Sequence, residues 1–279
     1  FSIKKNKTIK FYNSDEGITK LRLKNDYLEI LEKILINFKV NLNIPIFLAG
    51  MVGSKNGLVE IPYRTTPASK KNIGQNIISK KMKNMNLFFI PGLSYHKKKF
   101  FDVIRGEETI AIGAMKIKKD KNFFICCPGT HSKWIKIKNS KIILFETYLT
   151  GDLFSSISNN TILSKSMSKS GKFSKKYFLF ALKAIKESSL SYMLFKVRTM
   201  NLFNQSNQIE SESYLSGLII GEEIKNVSKK INKNKVYLIS EGKLLKFYLL
   251  AFNFFKIEYK ILDYKKAFLS GAKELYEQL

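Results

Sequence analysis

The sequence predicts an α/β fold, and three features carry that expectation. Short apolar strands alternate with segments of helical period, several strands run into glycine-containing turns, and 44% of the 279 residues are hydrophobic, enough for a sizeable core. Residues 3–12 alternate loosely with polar positions and meet Asn13-Ser14-Asp15-Glu16-Gly17, a strand followed by a turn. Leu28, Ile30, Leu31, Ile34, Leu35 and Phe38 give residues 27–38 a helical period. Residues 44–49 form a short apolar strand ending at Gly50, and residues 88–90 repeat that pattern before Pro91-Gly92. Residues 109–115 read as a helix with alanine and glycine on a face suited to close packing. A strand over 122–127 ends in Pro128-Gly129-Thr130, and 134–137 pairs with 141–145 around Asn139-Ser140. Helices are expected over 174–186, 214–228, 244–252 and 265–279, with a buried strand at 236–239. The return to antiparallel pairing after a helix places a second domain from about residue 119. Residues 165–173, rich in serine and lysine, read as a mobile loop.

Composition bounds the function. No apolar run approaches the ~20 residues that span a bilayer, and residues 1–10 lack the apolar stretch of a secretory signal. The cysteines, Cys126 and Cys127, are adjacent, which disfavours both a disulfide and a metal site and suits a reducing cytoplasm. The formal charge of +27 would suit a polyanion partner. Only Arg22, Arg64, Arg105 and Arg198 are arginines among the 49 basic residues, however, and phosphate or base recognition favours the arginine fork. Lysine, asparagine and isoleucine are in excess together, as A- and T-rich codons produce, and the lysines are scattered. A solvated, compositionally drifted surface explains that pattern.

Three stretches carry chemistry. In Pro128-Gly129-Thr130-His131-Ser132-Lys133-Trp134 a glycine and hydroxyl residues follow a buried strand, so backbone N–H groups and side chains could meet a phosphate. An ordinary β-turn reads equally well. Asp102-Val103-Ile104-Arg105-Gly106-Glu107-Glu108-Thr109 crowds carboxylates and an arginine at a helix start. The helix dipole explains one of them, at ~0.3–1 kcal/mol, and phosphoryl transfer to a hydroxyl needs a carboxylate of this kind. Gly50-Met51-Val52-Gly53-Ser54, continuing to Gly57, Glu60 and Pro62-Tyr63, leaves a strand end where α/β sheets bind ligands. A connection that needs glycine conformations is its plain alternative.

These stretches occur in order with Pro91-Gly92-Leu93-Ser94, Thr150-Gly151-Asp152-Leu153-Phe154, Leu194-Phe195-Lys196-Val197-Arg198-Thr199 and Ser213-Tyr214-Leu215-Ser216-Gly217-Leu218-Ile219-Ile220-Gly221. The series covers most of the chain and resembles the 2-dehydro-3-deoxygalactonokinase family, in the actin-like ATPase and sugar kinase superfamily. The resemblance implies two actin-like ATPase (ribonuclease H-like) domains around a cleft for nucleotide and sugar. Residues 1–118 would be an N-terminally truncated sugar-acid-binding domain with the catalytic helix, and residues 119–279 the nucleotide-binding domain. It implies phosphorylation of 2-dehydro-3-deoxy-D-galactonate at its terminal C6 hydroxyl by ATP with Mg2+, in a cytoplasmic enzyme of sugar-acid catabolism. A small sugar acid is the implied partner; neither nucleic acid nor membrane is expected, and oligomer formation stays open.

On this resemblance Glu107 is the general base, with Glu108 and Asp102 as rivals, and Arg105 orients that base or contacts substrate. Gly129, Thr130, His131, Ser132 and Lys133 would form the second phosphate loop, with Gly217, Gly221 and Gly242 near adenosine. Gly53, Ser54 and Glu60 would line the sugar-acid side, and Arg198 would meet the substrate carboxylate. Two departures are visible. The family's opening strand and Asp-bearing phosphate turn have no counterpart from Phe1 onward, and Ser240-Glu241-Gly242 stands where a Gly-Ser-Pro turn is typical. They raise a non-catalytic descendant as the alternative, with a basic nucleic-acid-binding protein as a third reading.

Overall fold

The computed structural model describes residues 2–4, 7–10, 12, 24–41, 44–168, 170–232 and 234–279. Its chain divides into two compact units, one of residues 1–117 with 268–279 and one of residues 118–267.

In the first unit β1 (Ser2–Lys4) and β2 (Lys7–Lys10) pair antiparallel, so the single strand expected over 3–12 is two. The turn expected at 13–17 lies outside the described residues. Helix α1 (Lys24–Phe38) follows the predicted period, and its Tyr27, Leu28 and Leu35 pack with Leu58, Ile61, Met85, Leu87 and Phe89. Burial of each such side chain contributes about 1.5–3 kcal/mol against chain entropy. Strand β3 (Pro45–Leu48) leads to a 3-10 turn at Met51–Gly53, then β4 (Arg64–Thr65) and α2 (Lys70–Gly74). After them come β5 (Ile78–Met82), β6 (Met85–Phe89), β7 (Leu93–Lys97) and β8 (Phe100–Ile104). They form sheets in the orders β3-β6-β5 and β4-β7-β8, with β3 and β4 each parallel to their partner. Helix α3 (Glu107–Ile117) closes the segment, starting two residues before the expected 109.

The second unit is built on a five-stranded sheet. Strands β9 (Asn122–Cys127), β10 (Ser132–Lys138) and β11 (Lys141–Tyr148) run antiparallel, and Asn139 and Ser140 take positive φ at the predicted tight hairpin. Helices α4 (Thr150–Asn160), α5 (Lys175–Glu187), α6 (Leu190–Leu202) and α7 (Gln208–Ile231) intervene before β12 (Val236–Leu238). Helix α8 (Gly242–Phe254), β13 (Tyr259–Ile261) and α9 (Tyr264–Tyr276) complete the chain. The order is β11-β10-β9-β12-β13, with β12 and β13 parallel to β9, which agrees with the ribonuclease H-like domain that the resemblance implies. Val236, Tyr237 and Leu238 are all buried, as a strand covered on both faces requires. Of residues 165–173, expected as a mobile loop, the two ends are anchored: Ser166 and Met167 are buried, and the Phe173 ring lies 4.6 Å from Phe247 and 5.6 Å from Phe178, while Ser170, Gly171 and Lys172 are exposed and residue 169 lies outside the described residues. Among the described residues no helix is long and apolar enough to cross a membrane.

The unit boundary at 117/118 falls one residue before the expected one, and residues 268–279 belong to the first unit rather than the second. The physical reason is the crossing of α9 with α3. A Cβ on Gly271 would lie 1.8 Å from the Thr109 carbonyl oxygen and 3.0 Å from Gly113 N, so only glycine lets these backbones touch. Gly271 and Thr109 are far apart in sequence, so no local pattern signals the crossing; Glu274 adds to it, with its oxygens 2.7 Å from Lys70 Nζ and 2.6 Å from Lys116 Nζ.

Candidate functional site

In the first unit two glycine turns meet. Gly50 and Gly106 take φ of +87° and +108°, and a Cβ on Gly106 would lie 3.3 Å from Gly50 Cα. This approach sets Arg105 against the residues after β3. Its Nη2 donates to the Ile61 carbonyl at 2.7 Å, and its guanidinium carbon sits 4.2 Å from the Tyr63 ring centre. Gly53 is packed beside it, since a Cβ there would lie 3.0 Å from Arg105 Nη1. Arg105 Nε and Nη1 are buried without a hydrogen-bond partner, and so is the Ser54 hydroxyl. Arg64 Nε in β4 and Thr66 Oγ1 just after it share that condition. Buried donors of this kind are costly to leave unmade and mark a place where a ligand completes the bonding.

The acidic cluster at the start of α3 resolves into separate tasks. Glu107 Oε2 accepts from the Arg105 backbone N–H at 3.0 Å, and Glu108 Oε2 accepts from the Gly106 N–H at 2.6 Å. Both carboxylates therefore fold back onto backbone donors of the turn, more capping than the dipole argument assigned. Asp102 Oδ1 accepts from the Val103 N–H at 2.7 Å. Glu108 is fully buried, whereas Glu107 and Asp102 are partly accessible.

Burial, and then the neighbouring Glu107 charge, push the Glu108 carboxyl from 4.5 up to about 7, against the pull of backbone N–H groups and the Thr109 hydroxyl. A raised pKa means that the folded protein holds a proton which the unfolded chain releases. The resulting stability is fully present below pH 4.5 and is lost as pH rises through about 7. Across that window the shift corresponds to about 3 kcal/mol. Glu108→Gln keeps an oxygen for the Gly106 N–H and offers its amide to the Thr109 hydroxyl. Thermal melts from pH 5 to pH 8 are expected to show the wild type falling relative to this variant by several degrees. Parallel curves would show that Glu108 does not carry the dependence.

The remaining residues expected on the substrate side divide. Gly53 and Ser54 stand with Arg105, but Glu60 is exposed. Arg198 belongs to the second unit, where its Nη1 lies 3.4 Å from the Ser166 hydroxyl.

In the second unit a cavity of about 210 Å3 is lined by Gly129, Thr150, Gly151, Glu212, Ser216 and Phe247, among others. The turn between β9 and β10 supplies Gly129. Gly151 fits only as glycine, because a Cβ would lie 2.7 Å from both the Gly129 carbonyl and Thr130 Cα. The Asp152 N–H then donates to the Thr130 carbonyl at 3.0 Å, tying the start of α4 to the loop. Thr130 and His131 are exposed, with His131 Nε2 3.8 Å from Asp152 Oδ2. Ser132 and Lys133 are buried in β10, and the Ser132 hydroxyl is engaged with Tyr248 at 2.8 Å rather than turned to a ligand. Glu212 Oε2 is buried at the cavity without a partner.

The helix glycines do not line this cavity. A Cβ on Gly217 would lie 2.6 Å from the Phe178 carbonyl, and one on Gly221 2.6 Å from Ile185 Cγ2, so both serve the packing of α7 on α5. Their neighbours Ser213, Ser216, Ile219 and Ile220 face the cavity instead. Gly242, at φ +61°, and the exposed Glu241 stand outside the lining, which takes Lys243 and Leu244 from the same helix start. The acidic departure from the family turn therefore puts no charge on the cavity wall.

Sequence reasoning missed Glu223. This carboxylate is fully buried and accepts from Trp134 Nε1 at 2.7 Å, from the Tyr248 hydroxyl at 2.7 Å and from the Thr150 hydroxyl. The Glu222-Glu223 pair on an amphipathic helix gives no local sign of it; only the register that turns Glu223 inward does.

Comparison with known proteins agrees with this architecture. The family model for 2-keto-3-deoxy-galactonokinase matches residues 2–275. A probable 2-dehydro-3-deoxygalactonokinase of Rhizobium meliloti is 31% identical over 215 residues, 76% of this chain and 70% of that protein. The 2-dehydro-3-deoxygalactonokinase of Escherichia coli is 26% identical over 263 residues, 94% of this chain and 88% of its own. A crystal structure from Sinorhizobium meliloti, of a protein assigned as a 2-dehydro-3-deoxygalactonokinase, superposes with a TM-score of 0.88 at 28% identity, covering 95% of this chain and 89% of that one. A match across nearly the whole length, on a fold with a carboxylate-bearing helix and a glycine-lined cavity, is decisive: the chain belongs to the 2-keto-3-deoxy-galactonokinase family.

Proposed function

We propose that this chain transfers the γ-phosphoryl group of ATP to the terminal C6 hydroxyl of 2-dehydro-3-deoxy-D-galactonate, with acceptor residues on the first unit and nucleotide residues on the second. Arg105 is the observation that carries the acceptor half. Its buried Nε and Nη1 lack partners, and the unpartnered Ser54 hydroxyl follows Gly53 beside it. A sugar acid offers a carboxylate for the guanidinium and hydroxyls for Ser54. Glu107, two residues beyond Arg105 and partly accessible, takes the proton of the attacking hydroxyl.

Gly129 and Gly151 bring bare backbone to the cavity of the second unit, which suits phosphate oxygens. Glu212 Oε2 offers an acceptor for a ribose hydroxyl, and Phe173 and Phe247 give aromatic faces to a purine. Magnesium would enter with the ATP phosphates and offset part of their charge. The test is an assay of the purified chain with MgATP and 2-dehydro-3-deoxygalactonate, following ADP release and the mass of the product. Sugar-acid-dependent ADP with a product phosphorylated at C6 is expected. A folded protein that releases no ADP above its background at saturating substrates would overturn the reading.

A further inference from the structure

The polar groups around the cavity of the second unit are not arranged independently. The Gly129 N–H points to the Ser132 hydroxyl at 3.4 Å, Ser132 meets the Tyr248 hydroxyl at 2.8 Å, and Tyr248 donates to Glu223 Oε2 at 2.7 Å. Because Tyr248 spends its one proton on Glu223, it accepts from Ser132, which in turn accepts from Gly129. The hydrogen bonds thus run in one direction, from the cavity-lining glycine to the buried carboxylate. Thr150, which also lines the cavity, donates to the same carboxylate, and Trp134 donates from β10.

We infer that Glu223 is a positioning residue for nucleotide binding, holding the Gly129 turn and the start of α4 in the geometry that phosphates need. This rests on the nucleotide reading of the second unit given above. Three donors, from β10, α4 and α8, converge on the two oxygens of this one carboxyl, so a single buried group fixes the direction of all three. Burial raises the Glu223 pKa above its ordinary value, and the hydrogen bonds from Thr150, Trp134, Tyr248 and Ser132 offset part of that rise. Gly129, Ser132, Trp134, Thr150, Glu223 and Tyr248 all belong to the second unit.

Trp134 is the single tryptophan, and its indole N–H is part of the network, so its fluorescence reports on the site directly. The experiment titrates MgADP into the wild type and into Tyr248→Phe, Thr150→Val and Thr150→Ser, reading Trp134 emission and, independently, calorimetry. Steady-state KM values for ATP and for the sugar acid accompany each. Tyr248→Phe and Thr150→Val are expected to weaken MgADP about tenfold and raise KM for ATP in step, leaving KM for the sugar acid unchanged. Thr150→Ser, which keeps the hydroxyl, is expected to restore wild-type affinity. Wild-type affinity in Tyr248→Phe and Thr150→Val overturns the positioning role alone. Equal losses for both substrates also overturn it, reducing the network to support of the fold. A folded wild type that binds no MgADP overturns the nucleotide reading and the inference with it.

Discussion

Glu107→Gln is expected to lower kcat by roughly 10²–10⁴-fold while MgADP affinity stays within about twofold. Glutamine retains an oxygen for the Arg105 N–H, so the capping contact at 3.0 Å survives and only the ability to take a proton is lost. The turn itself should therefore keep its shape, and a thermal melt checks that it does. The prediction separates Glu107 from its rivals on physical grounds. Glu108 is fully buried and committed to the Gly106 N–H and the Thr109 hydroxyl, and it would have to leave both to reach a substrate. Asp102 lies in β8 rather than on the helix, with an oxygen on the Val103 N–H. Steady-state kinetics with calorimetry of MgADP binding decides the matter. Unchanged turnover would move the base to one of those two carboxylates, and Glu108→Gln then becomes the next variant to assay.

Much of this architecture could be read locally. The period of α1, the apolar runs of β3, β9 and β12, and the Asn139-Ser140 hairpin each follow from side-chain order over a few residues. Strands β5 and β8 escaped because both are sheet edges, where Lys80 and Lys81 or the exposed Phe100 and Phe101 replace the alternation of a half-buried strand. The glycines at 217 and 221 carried a usable signal that pointed elsewhere: two small residues one turn apart on a helix indicate close helix packing. Lys133 is the one lysine that is buried among the described residues, in keeping with a charge excess spread over solvated surface. What sequence could not give was convergence. Glu223 matters because Trp134, Thr150 and Tyr248 arrive from three distant segments, and Gly271 because Thr109 lies across the chain; neither fact is written in a local pattern.

Arg105→Lys is expected to reduce kcat/KM for the sugar acid by roughly 10²–10³-fold, mostly through KM, with MgADP binding unaffected. Lysine keeps the positive charge but loses the fork, and it can reproduce neither the bond to the Ile61 carbonyl nor the stacking on Tyr63 together with two further donors. The size follows from two charge-assisted hydrogen bonds at about 1.5–3 kcal/mol each, of which the ammonium recovers a part. A loosened turn would contribute to the loss as well, since Arg105 also braces Ile61 and Tyr63 after the Gly53 turn. A substrate analogue carrying an alcohol in place of the carboxylate separates these causes. If Arg105 clamps the carboxylate, the wild type should already handle the analogue poorly, and Arg105→Lys should cost it little more. If the variant loses as much on the analogue as on the acid, Arg105 is a brace for the Gly53 turn, and the carboxylate must be met elsewhere. In that event Arg64, whose Nε is also buried without a partner, is the guanidinium to test next.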